Sequence, residues 1–350
     1  MNYKYLLYIA KSYSIPIFTP IVQYLKEKEI DFSFYISNKV KDNFPQNWNE
    51  YTIFQHLKDA INYKPDFVLV SGNFVDFHIP GIKVQLFHGL GIEKKSHFKI
   101  RHFFDVYLTS GPFVTEKFKK LLQKYKYFLV EETGWSKIDY ILKYTKENLR
   151  KKYDIEKNEK VILYAPTFSK KMQSAKELLP IIPEIIRNDE IWLIKFHELM
   201  NKEIIQKYEE NKPENIKIIK SINITPYLHI ADVLISDTSS VIYEFMVLDK
   251  PIITFRTQSR FDKGINILNT DELRTAIDRS FKNPDEFQEN RKKHLNEINP
   301  YLDGNISKNI IEKLQDIKIH NRLPKKKKPL NLFRKFQILY HGKYRKGYLR

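Results

Sequence analysis

ADVLISDTSSVIYEFMVLDKPIITF, residues 231–255, decides the fold. An apolar run, Val233–Ser236, has the length and β-branched content of a buried strand. It runs into Asp237-Thr238-Ser239-Ser240, and a helical stretch follows from about Ser240 to Leu248. Lys250-Pro251 then breaks the helix and Ile252–Phe255 reads as a second strand. A strand, a crossover helix and another strand make a βαβ unit, which belongs to a parallel sheet covered on both faces. Ser239 or Ser240 suits the N-cap, and Glu244 falls in the early helix. A helix start offers free N–H groups and a positive dipole end, and hydroxyls beside it complete a cradle for a diphosphate. A capped helix without a ligand explains the same serines.

The rhythm extends outward in both directions. Towards the N-terminus the strands are Lys4–Ala10, Asp31–Ile36, Asp66–Ser71, Lys83–Phe87, Val106–Thr109 and Tyr127–Val130, with helices around Phe18–Lys28 and Pro112–Lys124. A charged, apolar-poor stretch, Tyr144–Lys160, reads as a helix and linker between domains. The pattern restarts with Val161–Tyr164, Ile191–Phe196 and Ile216–Ile219 before the opening segment. Two such series predict an α/β protein of two Rossmann-like domains, parallel sheets facing a central cleft. The expected divisions are 1–148, 149–316 and a basic tail, 317–350.

In open α/β sheets, ligands bind outside the carboxyl ends of the strands. His88-Gly89-Leu90-Gly91 follows one strand, with Lys94 and Lys95 close behind. Gly72-Asn73 and Ser110-Gly111 follow two others. In the second half Ala165-Pro166-Thr167, His197-Glu198 and Asp237–Ser240 hold the corresponding places. His88 has the position of a general base with lysines on phosphate, and His197 that of a hydrogen-bond donor to phosphate. A locally satisfied loop histidine accounts for either one taken alone. His97 and His102, five apart, read as surface residues.

Composition narrows the chemistry. The 350 residues contain no cysteine, which excludes disulfides, a thiol nucleophile and thiolate metal sites and fits a reducing compartment. No run of about 18 apolar residues occurs, and Tyr5–Ala10 is too short for a signal-peptide core. The expectation is a cytoplasmic protein. No His or carboxylate cluster has metal spacing, so no metal and no obligatory cofactor is expected. A nucleotide phosphate loop and a dinucleotide glycine fingerprint are both lacking, which argues against an ordinary NTPase or dehydrogenase.

Taken together, these residues resemble the CDP-glycerol glycerophosphotransferase family of teichoic-acid and capsule synthesis. His88-Gly89 with a following lysine is similar to its His-Gly-Thr-Pro-Leu-Lys. Gly134-Trp135-Ser136-Lys137-Ile138-Asp139 is similar to Gly-x-Pro-Arg-x-Asp, and Tyr164-Ala165-Pro166-Thr167-Phe168 to Tyr-Ala-Pro-Thr-Trp. Lys195-Phe196-His197 matches Lys-x-His. Asp237-Thr238-Ser239-Ser240 with Glu244-Phe245 resembles Asp-Tyr-Ser-Ser-x-x-x-Asp/Glu-Phe, and Asp303-Gly304-Asn305 a late Asp-Gly-x. The likeness runs from about Val84 to Lys313. It implies a GT-B fold and a transferase that moves a polyol phosphate from a CDP-linked donor to a hydroxyl, releasing CMP. His88 would take the acceptor proton. His197, Thr167, Ser239 and Ser240 would bind the diphosphate, with Gly89, Lys94 and Pro166 beside it. Glu244 would hold ribose or polyol hydroxyls, and Lys137 and Asp139 would line the cleft. Leu90 and Lys137 depart from the family pattern, and the polyol stays open among glycerol, ribitol and others, glycerol first.

Twelve of the sixty Lys and Arg, and none of the 42 acids, fall from Ile317 on, so that stretch carries +12 of the net +18. Lys325–Lys328 precede Leu332, Phe333, Phe336, Leu339 and Tyr340 at helical spacing. This reads as a basic amphipathic helix at an anionic membrane surface, fit for a lipid-linked glycan acceptor. A terminal helix docked on the protein is the competing reading, and nucleic acid is not the expected partner. Two other functions use the same residues: a GT-B sugar-nucleotide glycosyltransferase or epimerase, and a non-catalytic GT-B scaffold recruited to the membrane.

Overall fold

The computed structural model describes residues 2–344 apart from Lys170 and Asn211, with the backbone course alone for 341–344. The last residues of the expected tail, 345–350, lie outside the described residues. The chain forms two units. One comprises 1–88, 95–143 and 297–350; the other comprises 89–94 and 144–296.

The first unit is built on seven parallel strands: β1 (Tyr5–Ile9), β2 (Phe32–Ile36), β3 (Ile53–Phe54), β4 (Phe67–Val70), β5 (Ile82–Gln85), β6 (Val106–Thr109) and β7 (Leu129–Glu132). Their order is β3-β2-β1-β4-β5-β6-β7. The second unit holds β8 (Lys160–Tyr164), β9 (Glu190–Ile194), β10 (Ile216–Ile218), β11 (Val233–Ser236), β12 (Ile252–Phe255) and β13 (Ile265–Ile267), in the order β10-β9-β8-β11-β12-β13. Every registered pair is parallel. The central strands are apolar runs buried along their length, YLLYI in β1 and VLIS in β11, as strands covered on both faces require. Both orders reverse direction once. The switch lies between β1 and β4 in the first sheet and between β8 and β11 in the second, and a ligand crevice opens at such a point.

Two edge strands, β3 and β13, were not expected from sequence. They are two and three residues long, too short to show an alternating or apolar pattern. The seventh strand begins at Leu129 instead of Tyr127. The division of the chain also differs from 1–148, 149–316 and 317–350. The second unit starts at Tyr144, and the chain returns to the first unit at Glu297. The returning helix, Ile306–Ile319, buries Ile306, Ile310, Ile311, Leu314 and Ile317 against the helices Ile15–Glu27 and Lys137–Leu142. Its apolar stripe is satisfied there, so it belongs with the first core.

Asp139 seals that return. It has no exposed surface, and its Oδ2 accepts the Ser307 N–H at 2.8 Å and the Ser307 hydroxyl at 3.0 Å. Its Oδ1 accepts the Ile306 N–H at 3.2 Å. A carboxylate 167 positions away thus caps the first turn of the returning helix. The cleft-lining role expected of Asp139 does not fit a side chain so enclosed. Asp303-Gly304-Asn305 is likewise a turn: Asp303 Oδ1 accepts the Asn305 N–H at 3.1 Å and Gly304 has φ +74°. Asp139→Ala leaves three donors unsatisfied and should lower unfolding stability by about 3 kcal/mol, with Asp139→Asn costing less because one acceptor remains. Chemical denaturation of the three proteins measures both.

Candidate functional site

In the second unit three neighbouring strands, β9, β8 and β11, each carry a candidate residue three positions beyond their ends: His197, Thr167 and Ser239. Strands lie about 4.8 Å apart, so three such residues side by side span a group the size of a diphosphate. Thr167 and Ser239 flank the switch point between β8 and β11.

Asp237 organises this edge. It is fully buried. Its Oδ1 accepts the N–H groups of Thr167 at 2.8 Å and Thr238 at 2.7 Å. Its Oδ2 accepts the N–H and the hydroxyl of Ser174, both at 3.0 Å. Burial pushes the carboxyl pKa upward, while the four donors pull it back. Asp237 is therefore a clamp between the loop after β8 and the loop after β11, not a ligand. The Ser236 hydroxyl reinforces it by donating to the Ala165 carbonyl at 2.6 Å. Pro166 is buried within the clamped loop, and Thr167 is only 3% exposed, its N–H engaged by Asp237. What Thr167 can offer a ligand is its hydroxyl.

Ser239 and Ser240 stay half-buried at the start of the helix Val241–Met246. That helix has six residues, fewer than expected, so its dipole is small and the serine hydroxyls matter more. Glu244 lies within it, 5% exposed. His197 is exposed, and its Nδ1 accepts the Leu199 N–H at 3.1 Å. In the neutral ring this places the proton on Nε2, which makes that nitrogen the donor of the ring. Its ring packs against Phe168 at 4.4 Å, and Lys94 Nζ lies 5.7 Å from the Phe168 centroid. Gly89 sits in the same unit. A Cβ there would meet Ser240 Oγ at 3.2 Å, so only glycine fits without displacement.

In the first unit His88 stands three positions beyond β5 and is exposed, its ring 5.5 Å from that of Tyr13. The preceding Phe87 has φ +61°, a left-handed conformation that is costly for an aromatic residue. The structure holds it there. The indole N–H of Trp135 donates to the Phe87 carbonyl at 3.2 Å, and the Phe87 ring stacks on His97. Trp135 is in turn fixed by its backbone N–H on Asn299 Oδ1 at 2.9 Å, and Ser136 by its hydroxyl on the Ile17 carbonyl at 2.7 Å. Gly134, at φ +88°, has no room for a Cβ, which would fall 2.8 Å from Ile306. Residues 134–139 are thus a scaffold that aims His88. Within them only Lys137 is half-exposed with a cation, 5.7 Å from the Trp135 centroid.

His97 and His102 are not simple surface residues. His97 Nε2 is buried without a hydrogen-bond partner, and His102 Nδ1 bonds the Tyr127 hydroxyl. The ring partners Phe87 and Tyr127 are ten and twenty-five positions away, so spacing along one helix could not reveal them.

The profile of the family described as CDP-Glycerol:Poly(glycerophosphate) glycerophosphotransferase matches residues 85–316. A teichoic acid glycerol-phosphate primase of Bacillus spizizenii is 26% identical over 340 residues, covering 85% of each chain. Other curated relatives are matched over about half of their own length, 48% and 49% in two cases. Among solved structures, the wall teichoic acid polymerase TagF superposes with TM-score 0.64 at 15% identity, over 90% of this chain and 89% of its own. A putative UDP-N-acetylglucosamine 2-epimerase from Listeria monocytogenes gives TM-score 0.66 at 14% identity, over 94% and 100%. Likeness at such identities establishes a shared fold, the GT-B type.

Burial, aided by the nearby His88 and Arg101, pushes the His97 pKa from 6.5 down to about 3. The unfolded chain takes up this proton near pH 6.5 and the folded chain only near pH 3. Between those values the unfolded state holds more protons, so stability falls as pH falls, approaching about 1.4 kcal/mol per pH unit. His97→Phe keeps the stack on Phe87 and removes the titration. Its unfolding free energy should decline less steeply than the wild type's from pH 7 to pH 5 in denaturant titrations.

Proposed function

Because this chain belongs to the CDP-glycerol:poly(glycerophosphate) glycerophosphotransferase family and is a transferase of that class, we propose that it moves glycerol phosphate from CDP-glycerol to a hydroxyl of a membrane-linked acceptor in cell-envelope polymer synthesis. One observation carries the assignment of roles. His88, Thr167, His197 and Ser239 all lie within the matched stretch, each three residues past the end of its strand. An acceptor oxygen attacks the phosphorus that bears glycerol, and the bond from that phosphorus to the CMP oxygen breaks. His88 takes the acceptor's proton, and CMP leaves with the bonding pair. His197 Nε2–H and the hydroxyls of Thr167, Ser239 and Ser240 stabilise the charge that gathers on the diphosphate. Lys94 and Lys137 supply positive charge, and Glu244 accepts from hydroxyls of the donor. Catalysis here rests on positioning and electrostatics, without a covalent enzyme intermediate.

The acceptor's membrane link is supported by the helix Leu332–Tyr344. The approach to it is tied down: Lys328 Nζ pairs with Asp105 at 2.7 Å, and Asn331 Nδ2 donates to the Arg101 carbonyl at 2.9 Å. On the helix itself Lys335 lies 5.0 Å from the Phe77 centroid. Yet Leu332, Phe333 and Phe336 remain 65–74% exposed. Docking thus holds the helix without covering its apolar row, and a row of that kind among lysines suits an anionic bilayer surface. We assign it to that surface.

His88→Ala should lower turnover by about 10²–10⁴-fold while CDP-glycerol affinity stays within about twofold, since a general base acts on the chemical step. CMP release and calorimetric titration read the two quantities, and unchanged turnover removes the proposed base. Release of UDP from UDP-sugars, with no CMP from CDP-glycerol, would instead favour the sugar-nucleotide reading. For the helix, Phe333→Ser/Phe336→Ser should reduce flotation with anionic vesicles, and equal flotation rejects it as the anchor.

A further inference from the structure

Lys263, a loop lysine with no motif around it, has no exposed surface at all. Lysine is buried so completely only when its ammonium is paired. It lies in the loop after β12, next to the strand that carries Asp237–Ser240. Its Nζ donates to the Ser259 carbonyl at 3.1 Å, the Thr257 hydroxyl at 3.4 Å and Glu93 Oε1 at 3.3 Å. It also lies 5.8 Å from the centroid of the Tyr243 ring. The Tyr243 hydroxyl donates to the same Glu93 oxygen at 2.7 Å.

Glu93 belongs to 89–94, the short stretch that leaves the first unit's sequence to join the second. Leu90 and Ile92 bury their side chains there, 2% and 4% exposed. Apolar contact fixes depth but not direction, because it is non-directional. The charged pair and the phenol supply direction. Tyr243 is adjacent to Glu244 on the short helix Val241–Met246, three positions beyond its N-cap, Ser240. Gly89 is packed against Ser240 Oγ, and Lys94 reaches over Phe168. Both residues flanking Leu90–Glu93 therefore border the donor edge, and the bond between Lys263, Glu93 and Tyr243 sets where they stand.

We propose that Lys263 is a positioning residue for the donor: through Glu93 it latches 89–94 onto the helix bearing Ser240 and Glu244, and so fixes one wall of the diphosphate site without touching the ligand. This rests on the donor assignment made above. A six-residue stretch held by two apolar side chains would otherwise have many placements, and ligand binding would have to select among them. The latch removes that selection in advance.

Three measurements on Lys263→Met, Lys263→Arg and Glu93→Gln test it. Amide hydrogen exchange at Leu90–Lys94 in Lys263→Met should quicken on the order of tenfold, the loss of one coupled buried pair. The CDP-glycerol Kd should rise by a similar factor, while kcat for CMP release changes by less than about threefold, because the base lies elsewhere. Lys263→Arg, which keeps the charge, should recover part of the affinity. Unchanged exchange in this stretch overturns the proposal. So does a lowered Tm with an unchanged Kd, since the pair would then be structural only. If Lys263→Met does not fold, Glu93→Gln carries the same readings, because its amide oxygen still serves Tyr243. Wild-type protein that bound no CDP-glycerol would strike down the donor assignment instead, and the exchange measurement would still decide the latch.

Discussion

A single buried carboxylate holds together the sheet edge proposed to take the donor. Asp237 sits at the end of β11 with four donors on its two oxygens, drawn from the loops after β8 and β11. In the interior an unsatisfied carboxylate costs several kcal/mol, so this geometry is strongly favoured once the sheet has formed. The loops cannot drift apart without exposing donors or stranding the charge. Thr167 and Ser239 owe their proximity to that constraint, and neither could secure it alone. The residue that heads the most telling motif of the sequence therefore works one layer behind the edge proposed to take the donor.

Asp139 does the same work in the first unit. It too is fully buried, and it too joins segments far apart in sequence, here the helix Lys137–Leu142 and the returning helix Ile306–Ile319. Burial raises its pKa and the surrounding N–H groups lower it, the same balance as at Asp237. The first core is closed by segments more than 160 positions apart, Asp139 being 167 positions from Ile306. The fixed start of the returning helix places Ile306 against Gly134, and Gly134 leads into Trp135. Trp135 then holds the Phe87 carbonyl, and with it the direction of His88. A short motif shared across a family can thus mark a scaffold as readily as a contact with substrate. Residues 134–139 and 303–305 belong mainly to the first kind.

The parallel rhythm was legible because the central strands are long apolar runs with glycine, proline or hydroxyl residues after them. The same rule located His88, Thr167, His197 and Ser239, since the end of a strand is visible in sequence. Three things were not legible. β3 and β13 are too short to carry a pattern and exist only because a neighbouring strand offers an edge. The return of 297–319 to the first core depends on Asp139, 167 positions earlier, and nothing local announces it. Lys263 looks like any loop lysine until the fold brings Glu93 to it from 170 positions away. Local pattern reports what a segment can become, and burial of charge is decided by partners the segment does not contain.

This division bears on how the proposed site would hold a diphosphate. The helix after Ser240 is only six residues long, so aligned peptide dipoles give less than a longer helix would. In the proposed site side chains make up the difference: two serines, a threonine, and an imidazole whose Nε2 proton is fixed by the Leu199 N–H on its other nitrogen. Side chains need anchoring in a way that backbone N–H groups at a long helix do not. On the proposed assignments, the buried carboxylate behind Thr167 and Ser239 and the buried ammonium behind Gly89 and Lys94 are parts of one solution. Each holds in place a wall that the weak helix terminus could not define by itself.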